Sequence, residues 1–465
     1  MEQRLEFSAD LLKKYDQTGP RYTSYPTAVQ FVPALNAVEY KKIATKATAD
    51  NPLQPISLYF HIPFCDTICY YCGCSKIVTR DHSKAEPYLQ YLEKEIALQA
   101  ALFKNRKVTQ LHWGGGTPTF LNNQQITHLM KLTDDAFCLD KSDQREFSIE
   151  IDPRSVDNKK IEVLAKVGFN RLSLGVQDFD PDVQMAVNRI QSKEDTLKVM
   201  QHARSVGFKS ISVDLIYGLP KQQISTFSKT LDSVISARPD RVAVYSYAHI
   251  PTMFKSQKGI KEEQLPSSEL KIQLLSLTIE KLTQAGYLYI GMDHFSLPGD
   301  ELALAQQQGT LHRNFQGYST HAECDLIGLG LTSIGKVGNS YSQNEKNIEA
   351  YYKRLDENKL PTLRGVELDQ DDIIRRHIIS ELMCHSRLLF PSIEKLFDIE
   401  FKSYFNQELV ALQSFVEDNL IVLESDRLQI TPSGRMLLRN IGMQFDAYLK
   451  PGGKIGKKGR YSKLI

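Results

Sequence analysis

The feature that most constrains this chain is a run of cysteines in residues 59–76, YFHIPFCDTICYYCGCSK. Cys65, Cys69 and Cys72 follow an apolar, strand-like segment at C-x3-C-x2-C spacing, and Cys74 comes two residues later. A loop of this length can place three thiolates around one iron–sulfur cube, which leaves the fourth iron without a protein ligand. An open metal position of this kind can bind a substrate. The spacing therefore predicts a cluster whose metal ligands are Cys65, Cys69 and Cys72.

Two other uses of these cysteines compete with that interpretation. Four cysteines so close together could form a structural zinc site, although such sites usually take their ligands from two separated pairs. A disulfide framework is disfavoured, because seven cysteines in 465 residues are sparse and the N-terminus lacks the apolar core of a signal peptide. Zinc remains an alternative at this point. The expected compartment is the reducing cytoplasm, where thiolates stay available for iron.

The composition is that of an ordinary globular protein. Apolar residues make up 42% of the chain and charged residues 24%. No apolar run approaches the roughly 18 residues that a membrane helix needs. The formal net charge of +2 gives no sign of a large nucleic-acid surface. We therefore expect no membrane span and no nucleic-acid partner.

Short β-branched or aromatic runs alternate with amphipathic helical stretches through the first half of the chain. Strands that alternate with helices in this way are typical of βα units around a parallel sheet. Such a sheet carries its chemistry at the C-terminal ends of its strands. The six predicted strands are residues 56–62, 108–113, 146–151, 171–176, 210–217 and 241–247.

Polar residues and glycines cluster where these strands end, so we expect them to meet at one mouth of the sheet. Three glycines directly after a strand let the backbone approach a ligand, and no Lys-Ser/Thr pair follows that would make a phosphate-binding loop. An acidic residue at a strand end can accept hydrogen bonds from ribose hydroxyls, which favours that role for Glu150. The residues concerned are Cys65, Gly114, Gly115, Gly116, Thr117, Glu150, Asp152, Gln177, Asp178, Ala248 and His249, with Asp214 inside the fifth strand.

The second half of the chain has a different pattern. A predicted helix at 268–285 and a strand at 287–292 are followed by a polar–aromatic stretch at 312–318. Near the C-terminus, two short strands joined by a turn at Ser425-Asp426 precede a Thr-Pro-Ser-Gly helix start, which predicts a small winged-helix-like domain. This domain lacks a basic recognition face, so a lid or interaction module is favoured over DNA binding.

These residues carry a family resemblance. The cysteine run after HIPF, followed in order by GGGTP, SIEIDP, LGVQDF and VDLIYGLP, resembles the radical S-adenosylmethionine (SAM) enzymes. The stretches GPRYTSYPTA, CGC, HRNFQGY and the closing YSKLI narrow the resemblance to the oxygen-independent coproporphyrinogen III oxidases of haem biosynthesis. The match runs nearly from end to end, and together these motifs are highly specific.

The resemblance implies an α/β fold, a partial (β/α)6 TIM-like radical SAM barrel with an N-terminal segment and a small, mostly helical, winged-helix-like C-terminal domain. We expect four parts. They are a substrate-covering segment at 1–50, the barrel at 51–290, a barrel extension and linker at 291–365, and a C-terminal lid domain at 366–465.

The implied activity is the conversion of two propionate side chains of coproporphyrinogen III into vinyl groups, which gives protoporphyrinogen IX. SAM would chelate the open iron of a 4Fe-4S cluster through its amino and carboxylate groups. An electron from the cluster would break a sulfur–carbon bond and give methionine and a 5′-deoxyadenosyl radical. That radical would remove a hydrogen from a propionate β-carbon, and loss of CO2 and one further electron would leave the vinyl group.

The resemblance also assigns site residues, position by position. The cluster-bound SAM would contact Tyr59, Gly115, Glu150 and Ile334. A second, adjacent SAM would contact Tyr71, Gly116, Thr117, Gln177, Arg189, Asp214 and Ala248, giving two SAM molecules per chain. Tyr71 stands where the family is associated with phenylalanine, and Cys74 would not be a cluster ligand. Phe315 and Gln316 match positions linked to substrate or catalysis, so the expected catalytic set is Tyr59, Glu150, Arg189, Phe315 and Gln316.

The implied substrate carries four carboxylates and needs basic anchors. Arg–carboxylate pairing makes Arg21, Arg313 and the basic tail at 454–463 the predicted anchors. The implied partners also include an unidentified electron donor and acceptor, and the implied state is a monomer. An alternative function is that of relatives that bind SAM and carry haem without oxidase activity. Those relatives look shorter and lack a cysteine at the position of Cys74.

Overall fold

Six parallel strands form the centre of one large sheet in the computed structural model, which describes residues 5–321, 324–450, 454 and 461. They pair in chain order, each with the next, as expected for consecutive βα units. The predicted α/β fold and its partial barrel are therefore confirmed. The strands are β1 (Ile56–Ile62), β2 (Lys107–Gly115), β3 (Glu146–Ile151), β4 (Arg171–Gln177), β5 (Ser210–Tyr217) and β6 (Arg241–Ser246).

Helices cover the outer face of this sheet, and the alternation of side chains along each strand decides what faces them. In β1, Leu58, Phe60 and Ile62 are buried against the helices, while Tyr59 and His61 line an interior cavity. Both faces of a parallel sheet are normally covered, which is why β1 is buried at nearly every position. The helices of this layer are Ala85–Ala100, Asn123–Ala136, Asn158–Lys166, Pro181–Ala186, Lys193–Ser205, Ile224–Ala237 and Ser268–Gln284.

The sheet continues on both sides of the six strands. Strand Asp325–Leu329 pairs in parallel with β1, and antiparallel strands Ile334–Val337, Ser340–Asn344 and Thr362–Glu367 extend that side. Beyond β6, the antiparallel strands are His294–Ser296 and Leu288–Gly291. The two outermost strands do not pair with each other within the described residues, so the barrel is open.

A second hydrophobic core joins the N-terminal segment to the C-terminal domain. Leu12, Tyr22 and Tyr25 pack into the same cluster as Ile378 and Phe405. The C-terminal domain contains helices Gln370–His385, Phe390–Phe397, Phe401–Tyr404, Asn406–Ala411 and Gln413–Glu417 and a small sheet of strands Arg387–Leu389, Ile421–Leu423 and Arg427–Ile430.

The helix predicted to start at Thr-Pro-Ser-Gly begins later than expected. A 3-10 turn at Gly434–Leu437 comes first, and the α-helix runs from Leu438 to Met443. A Cβ on Gly434 would collide with the carbonyl oxygen of Leu420, so only glycine fits where this turn packs against the residue before strand Ile421–Leu423. The four part boundaries expected from the sequence remain a prediction.

The remaining elements connect these layers. No helix in the described residues combines the length and the apolar character needed to cross a membrane. The remaining helices are Ala9–Lys14, Ala37–Asp50, Glu301–Gln308 and Ile348–Asp356, and the remaining strands are Phe64–Cys65, Ile77–Val78, Cys138–Leu139, His312–Asn314 and Gly317–Ser319.

Candidate active site

The cysteine loop leaves the C-terminal end of β1 and returns to it. Its base is closed by parallel pairing of Phe64–Cys65 with Ile77–Val78 and by a hydrogen bond from the Thr79 N–H to the Cys65 carbonyl at 2.9 Å. The loop therefore holds its three predicted ligand cysteines at one edge of the barrel mouth. All seven cysteines of the chain are free thiols.

The surroundings of the three sulfurs fit a cluster better than a single ion. Thiolates on one tetrahedral zinc stand about 3.8 Å apart. Among the described residues, the only three metal-ligating side chains that come within 4.8 Å of one another are aspartates in the C-terminal domain, so no three of these cysteines do. A four-iron cube needs its thiolates farther apart than one ion does. The donor set of Cys65, Cys69 and Cys72 therefore fits an iron–sulfur cluster and argues against zinc.

Cations and hydroxyls surround the sulfurs. Arg189 Nη1 and Arg154 Nη2 donate to Cys69 Sγ at 3.5 and 3.6 Å, and Thr117 Oγ1 donates to Cys65 Sγ at 3.5 Å. A hydrogen bond with Cys74 and the nearby Lys76 lower the pKa of Cys72 to about 6. Burial raises the pKa of Cys65 to about 11. Hydrogen bonds to the sulfurs and local charge are the means by which a protein tunes a cluster's potential.

Gly114 and Gly115, which end β2, and Gly116 after them bring the backbone against Glu150 and the cysteine loop. A Cβ on Gly114 would stand 2.8 Å from the Glu150 carboxylate, and one on Gly116 would stand 2.7 Å from the Pro63 carbonyl. The Gly115 N–H donates to Glu150 Oε2 at 3.2 Å. A side chain at these positions would fill the space between the strand ends.

Glu150 is held as a carboxylate. Burial alone would raise its pKa, but the hydrogen bond from His112 Nε2 to Oε1 at 3.2 Å and the Gly115 N–H outweigh burial and lower that pKa. About 45% of the Glu150 side chain is accessible, and that surface faces the interior cavities. An ionised acceptor aimed into a cavity suits hydroxyl or ammonium groups of a ligand.

Tyr59 is oriented by His61. The His61 Nε2 lies 3.0 Å from the Ser75 carbonyl, which can only accept, so Nε2 carries the proton. His61 Nδ1 is therefore the acceptor for the Tyr59 hydroxyl at 3.2 Å. Burial lowers the pKa of His61, which keeps the ring neutral. The pair links β1 to the end of the cysteine loop.

Arg189 connects the cysteine loop to the ends of β3 and β4. Its guanidinium donates to Asp152 Oδ2 at 3.1 Å and to the Gly175 carbonyl at 2.6 Å, besides Cys69. Asp152 also accepts from Arg154 at 2.6 Å. Breaking this buried ion pair would leave an uncompensated charge on Arg189 or on Asp152. The pair therefore holds the Arg189 side chain in one orientation.

Three interior cavities run through the barrel, and we name them by position. The mouth cavity, about 680 Å³, is lined by the cysteine loop and the strand ends. The inner cavity, about 380 Å³, shares Glu150 and Tyr245 with it. The outer cavity, about 800 Å³, shares Thr23, Arg313, Phe315 and Leu326 with the inner one.

The predicted site residues divide between the first two cavities. Those that line the mouth cavity are Cys65, Cys69, Cys72, Tyr71, Gly115, Gly116, Thr117, Glu150, Gln177, Arg189 and Asp214. Those that line the inner cavity are Tyr59, Glu150, Ile334, Phe315 and Gln316. Ala248 lines none of the three cavities, although its carbonyl accepts from Gln257 Nε2 at 3.0 Å, and the same Nε2 also donates to the Tyr71 carbonyl. The roles of these predicted site residues remain a prediction.

The predicted carboxylate anchors already have partners. Arg21 forms an ion pair with Asp293, and Arg313 Nη1 donates to the carbonyls of Arg21 and Tyr22 at 2.5 and 3.0 Å. Both arginines line the inner cavity. Of the basic tail, Lys454 pairs with Asp369 and Asp372, and Lys457, Lys458, Arg460 and Lys463 lie outside the described residues.

Sequence reasoning missed Arg154 and the loop around Gln257 as neighbours of the cysteine loop. Ser256 Oγ donates to the Cys72 carbonyl at 2.7 Å. No periodicity or motif marks this loop, which lies more than 180 residues after the cysteines. Arg154 lies two residues after Asp152, so its closeness to the end of β3 in the sequence was the signal available.

The buried carboxyl of Asp214 should make the stability of the protein depend on pH. Burial and the nearby Glu150 raise the pKa of Asp214 from 3.8 to about 7. The folded protein therefore keeps a proton that the unfolded chain has released, so the free energy of unfolding falls as pH rises from about 4 to about 7. Between about pH 5 and pH 8 the titration of Asp214 should lower the free energy of unfolding by at most about 3 kcal/mol, and Asp214→Asn should abolish this contribution. Anaerobic urea unfolding of both proteins measures it, and parallel stability–pH curves would contradict it.

Two family models match the chain. The radical SAM superfamily model matches residues 59–234, which contain the last four residues of β1, the cysteine loop and β2 to β5. The HemN C-terminal domain model matches residues 368–437, within the C-terminal domain. The first of these models covers the cysteine loop, and the enzymes of its superfamily use a 4Fe-4S cluster and SAM.

Full-length relatives share this organisation. The oxygen-independent coproporphyrinogen III oxidase of Salmonella typhimurium is 47% identical over 99% of both chains, and that of Escherichia coli K12 is 47% identical over 98% of this chain and 99% of its own. The solved structure of coproporphyrinogen III oxidase from Escherichia coli, described as a radical SAM enzyme, has a TM-score of 0.91 at 46% identity and covers 96% of this chain and all of that one. The chain therefore belongs to the oxygen-independent coproporphyrinogen III oxidase family of radical SAM enzymes.

Proposed function

We propose that this chain catalyses the oxygen-independent oxidative decarboxylation of two propionates of coproporphyrinogen III, giving the two vinyl groups of protoporphyrinogen IX. The single observation that carries this proposal is that Glu150 and Tyr245 line both the mouth cavity and the inner cavity, so that the two cavities are adjacent. A radical generated beside the cysteine loop is then next to the cavity that would hold a substrate arm. Bound together, the 4Fe-4S cluster and SAM supply a 5′-deoxyadenosyl radical by reductive cleavage.

The chain's own residues would hold, orient and shield the reactants. Cys65, Cys69 and Cys72 would ligate the cluster, and Glu150 would accept hydrogen bonds from SAM. Gly115 leaves room for that ligand against β2. A primary carbon radical attacks most C–H bonds, so the site must exclude water and hold one hydrogen at contact distance. Phe315 and Gln316, which line the inner cavity, would position the propionate.

A second SAM molecule would occupy the rest of the mouth cavity. The volume of the mouth cavity, about 680 Å³, lies within the range of ligand sites. Gln177 Oε1 is buried there without a hydrogen-bond partner, and Asp214 and Arg189 line the same wall. An unpartnered buried amide oxygen favours a donor group of a ligand at this place. Equilibrium dialysis with labelled SAM would count one or two molecules per chain.

The products of an anaerobic assay test the function. After cluster reconstitution, with SAM, a reductant and coproporphyrinogen III, we expect one 5′-deoxyadenosine and one CO2 for each vinyl group formed. A mono-vinyl intermediate should appear before the divinyl product, because the two arms react one at a time. Iron-loaded protein that binds haem stably and forms no vinyl product would instead support the haem-carrier alternative.

The cellular setting is also part of the proposal. We infer a monomer in the cytoplasm that receives its electron from an unidentified donor and returns one to an unidentified acceptor. The seven free thiols fit a reducing compartment. Each vinyl group requires one electron in for SAM cleavage and releases one electron with CO2, so donor and acceptor must exchange equal numbers of electrons.

A further inference from the structure

Tyr245 stands where the mouth cavity meets the inner cavity. It is the last residue but one of β6, and the alternation of side chains along that strand sends Val242 and Val244 into the main core and Tyr245 to the interior face. Among the described residues, only Tyr245 and Glu150 line both cavities. A ligand group at this junction therefore meets these two side chains.

The hydroxyl of Tyr245 is a donor without a partner. It makes no hydrogen bond to any described residue. The ring, in contrast, is held from two sides. The His294 ring packs against it edge-on, with the ring centroids 5.9 Å apart, and Arg21 Cζ lies over it, 5.8 Å from its centroid. Burial and the nearby Asp214 raise the pKa of Tyr245, so the phenol keeps its proton and remains able to donate.

The charges around the junction leave few donors for a carboxylate. Only one carbon separates the carboxylate of a propionate from the carbon that would lose its hydrogen, so both must lie near the mouth cavity when the radical forms. The ionised Glu150 repels a second carboxylate. Arg21 and Arg313 line the inner cavity but not the mouth cavity, and both already have partners. Tyr245 is therefore the donor that the junction offers.

A neutral donor suits this step better than an arginine does. Loss of CO2 removes the negative charge of the arm, so a permanent cation would stabilise the charged reactant more than the state that leads to CO2. A phenol orients the carboxylate and opposes that loss less. His294 beside the phenol is also neutral, because burial, Arg313 and Arg21 lower the pKa of His294 to about 3.

We propose that the Tyr245 hydroxyl donates a hydrogen bond to the carboxylate of the propionate that is reacting, and so directs the hydrogen to be removed toward the mouth cavity. This rests on the proposed function, because it names the group that holds the same substrate's reacting arm. Binding of SAM does not depend on this hydroxyl. Without it the arm is poorly placed, and a radical formed beside it takes its hydrogen from another source.

Tyr245→Phe tests this, because it removes the hydroxyl alone. In the anaerobic assay we expect the 5′-deoxyadenosine formed per vinyl group to rise from one in wild type to about ten, since a displacement of about 1 Å is enough to slow a positioned reaction severely. Iron content and SAM affinity in equilibrium dialysis should not change. The free energy of unfolding should not fall, because the hydroxyl has no hydrogen bond to lose.

Tyr287→Phe is the matched control. It also removes one phenol hydroxyl, which donates to the Pro239 carbonyl at 2.7 Å, from a residue that lines none of the three cavities. This variant should lose some free energy of unfolding and keep one 5′-deoxyadenosine per vinyl group. A loss of coupling in Tyr245→Phe alone therefore reports on the junction and not on a weakened fold.

Coproporphyrinogen III deuterated at its propionate β-carbons shows where the radical finds its hydrogen. In wild type each 5′-deoxyadenosine should carry one deuterium, and the excess formed by Tyr245→Phe should carry none. A ratio that stays at one in Tyr245→Phe would overturn the inference. So would a loss of SAM affinity in this variant, because the hydroxyl would then bind SAM. Wild type that cleaves SAM but forms no vinyl group would instead overturn the proposed function itself.

Discussion

Serine in place of Cys69 is expected to abolish both iron binding and SAM cleavage. Cys69 is the most deeply placed of the three predicted ligands, at 8% exposure, and receives hydrogen bonds from Arg189 and Arg154. A hydroxyl is a poor replacement for a thiolate on iron, so reconstituted protein should fall from about four irons per chain to near zero. Iron analysis and the visible absorption of the cluster measure the loss, and Cys65→Ser and Cys72→Ser should behave alike.

The same run of sequence supplies a matched control. Cys74 is exposed toward the mouth cavity, and its backbone N–H, which serine retains, donates to Cys72 Sγ at 3.4 Å. Cys74→Ser should therefore keep its iron, as should Cys138→Ser, which changes an exposed thiol away from the loop. Iron retained in Cys69→Ser but lost in Cys74→Ser would show that the ligand set has been misassigned.

The strands and the cysteine loop could be predicted because their signals are local. Each barrel strand is a short apolar run, and the observed bounds of β1, β3 and β5 agree with the predicted ones. The end of a parallel strand also fixes which residues reach the mouth, so Glu150 could be placed beside the glycines from the sequence. Individual residue roles came from the family resemblance.

Contacts between distant parts of the chain could not be predicted in this way. The Gln257 side chain reaches Tyr71 across 186 residues, and Arg313 reaches the carbonyl of Arg21 across 292. The N-terminal segment packs on the C-terminal domain because Tyr22 and Tyr25 enter its core, although nothing in their local pattern distinguishes that core from the barrel's. Lys336 and Arg376 meet at one cavity only once the sheet and this domain are assembled.

Alanine in place of Gly115 is expected to reduce SAM affinity about hundredfold. The expected cause is a steric clash with His61, which can be distinguished from the backbone strain of the same substitution. Gly115 has φ +115°, which costs a residue with a side chain about 1–3 kcal/mol. In addition, its Cβ would stand 2.8 Å from the His61 ring. That contact would displace His61 and with it the hydrogen bond to Tyr59, and it would shift the N–H that Glu150 accepts.

Gly286→Ala isolates the strain, because Gly286 has φ +87° and a Cβ there would meet nothing within 4 Å. Both variants should lose free energy of unfolding in urea, since both place a side chain in the left-handed region. Only Gly115→Ala should also lose SAM binding in equilibrium dialysis, because only there does the new methyl group push on residues that line the ligand's cavity. Equal SAM affinity in the two variants would mean that the glycine run serves the turn alone and that the ligand lies elsewhere in the mouth.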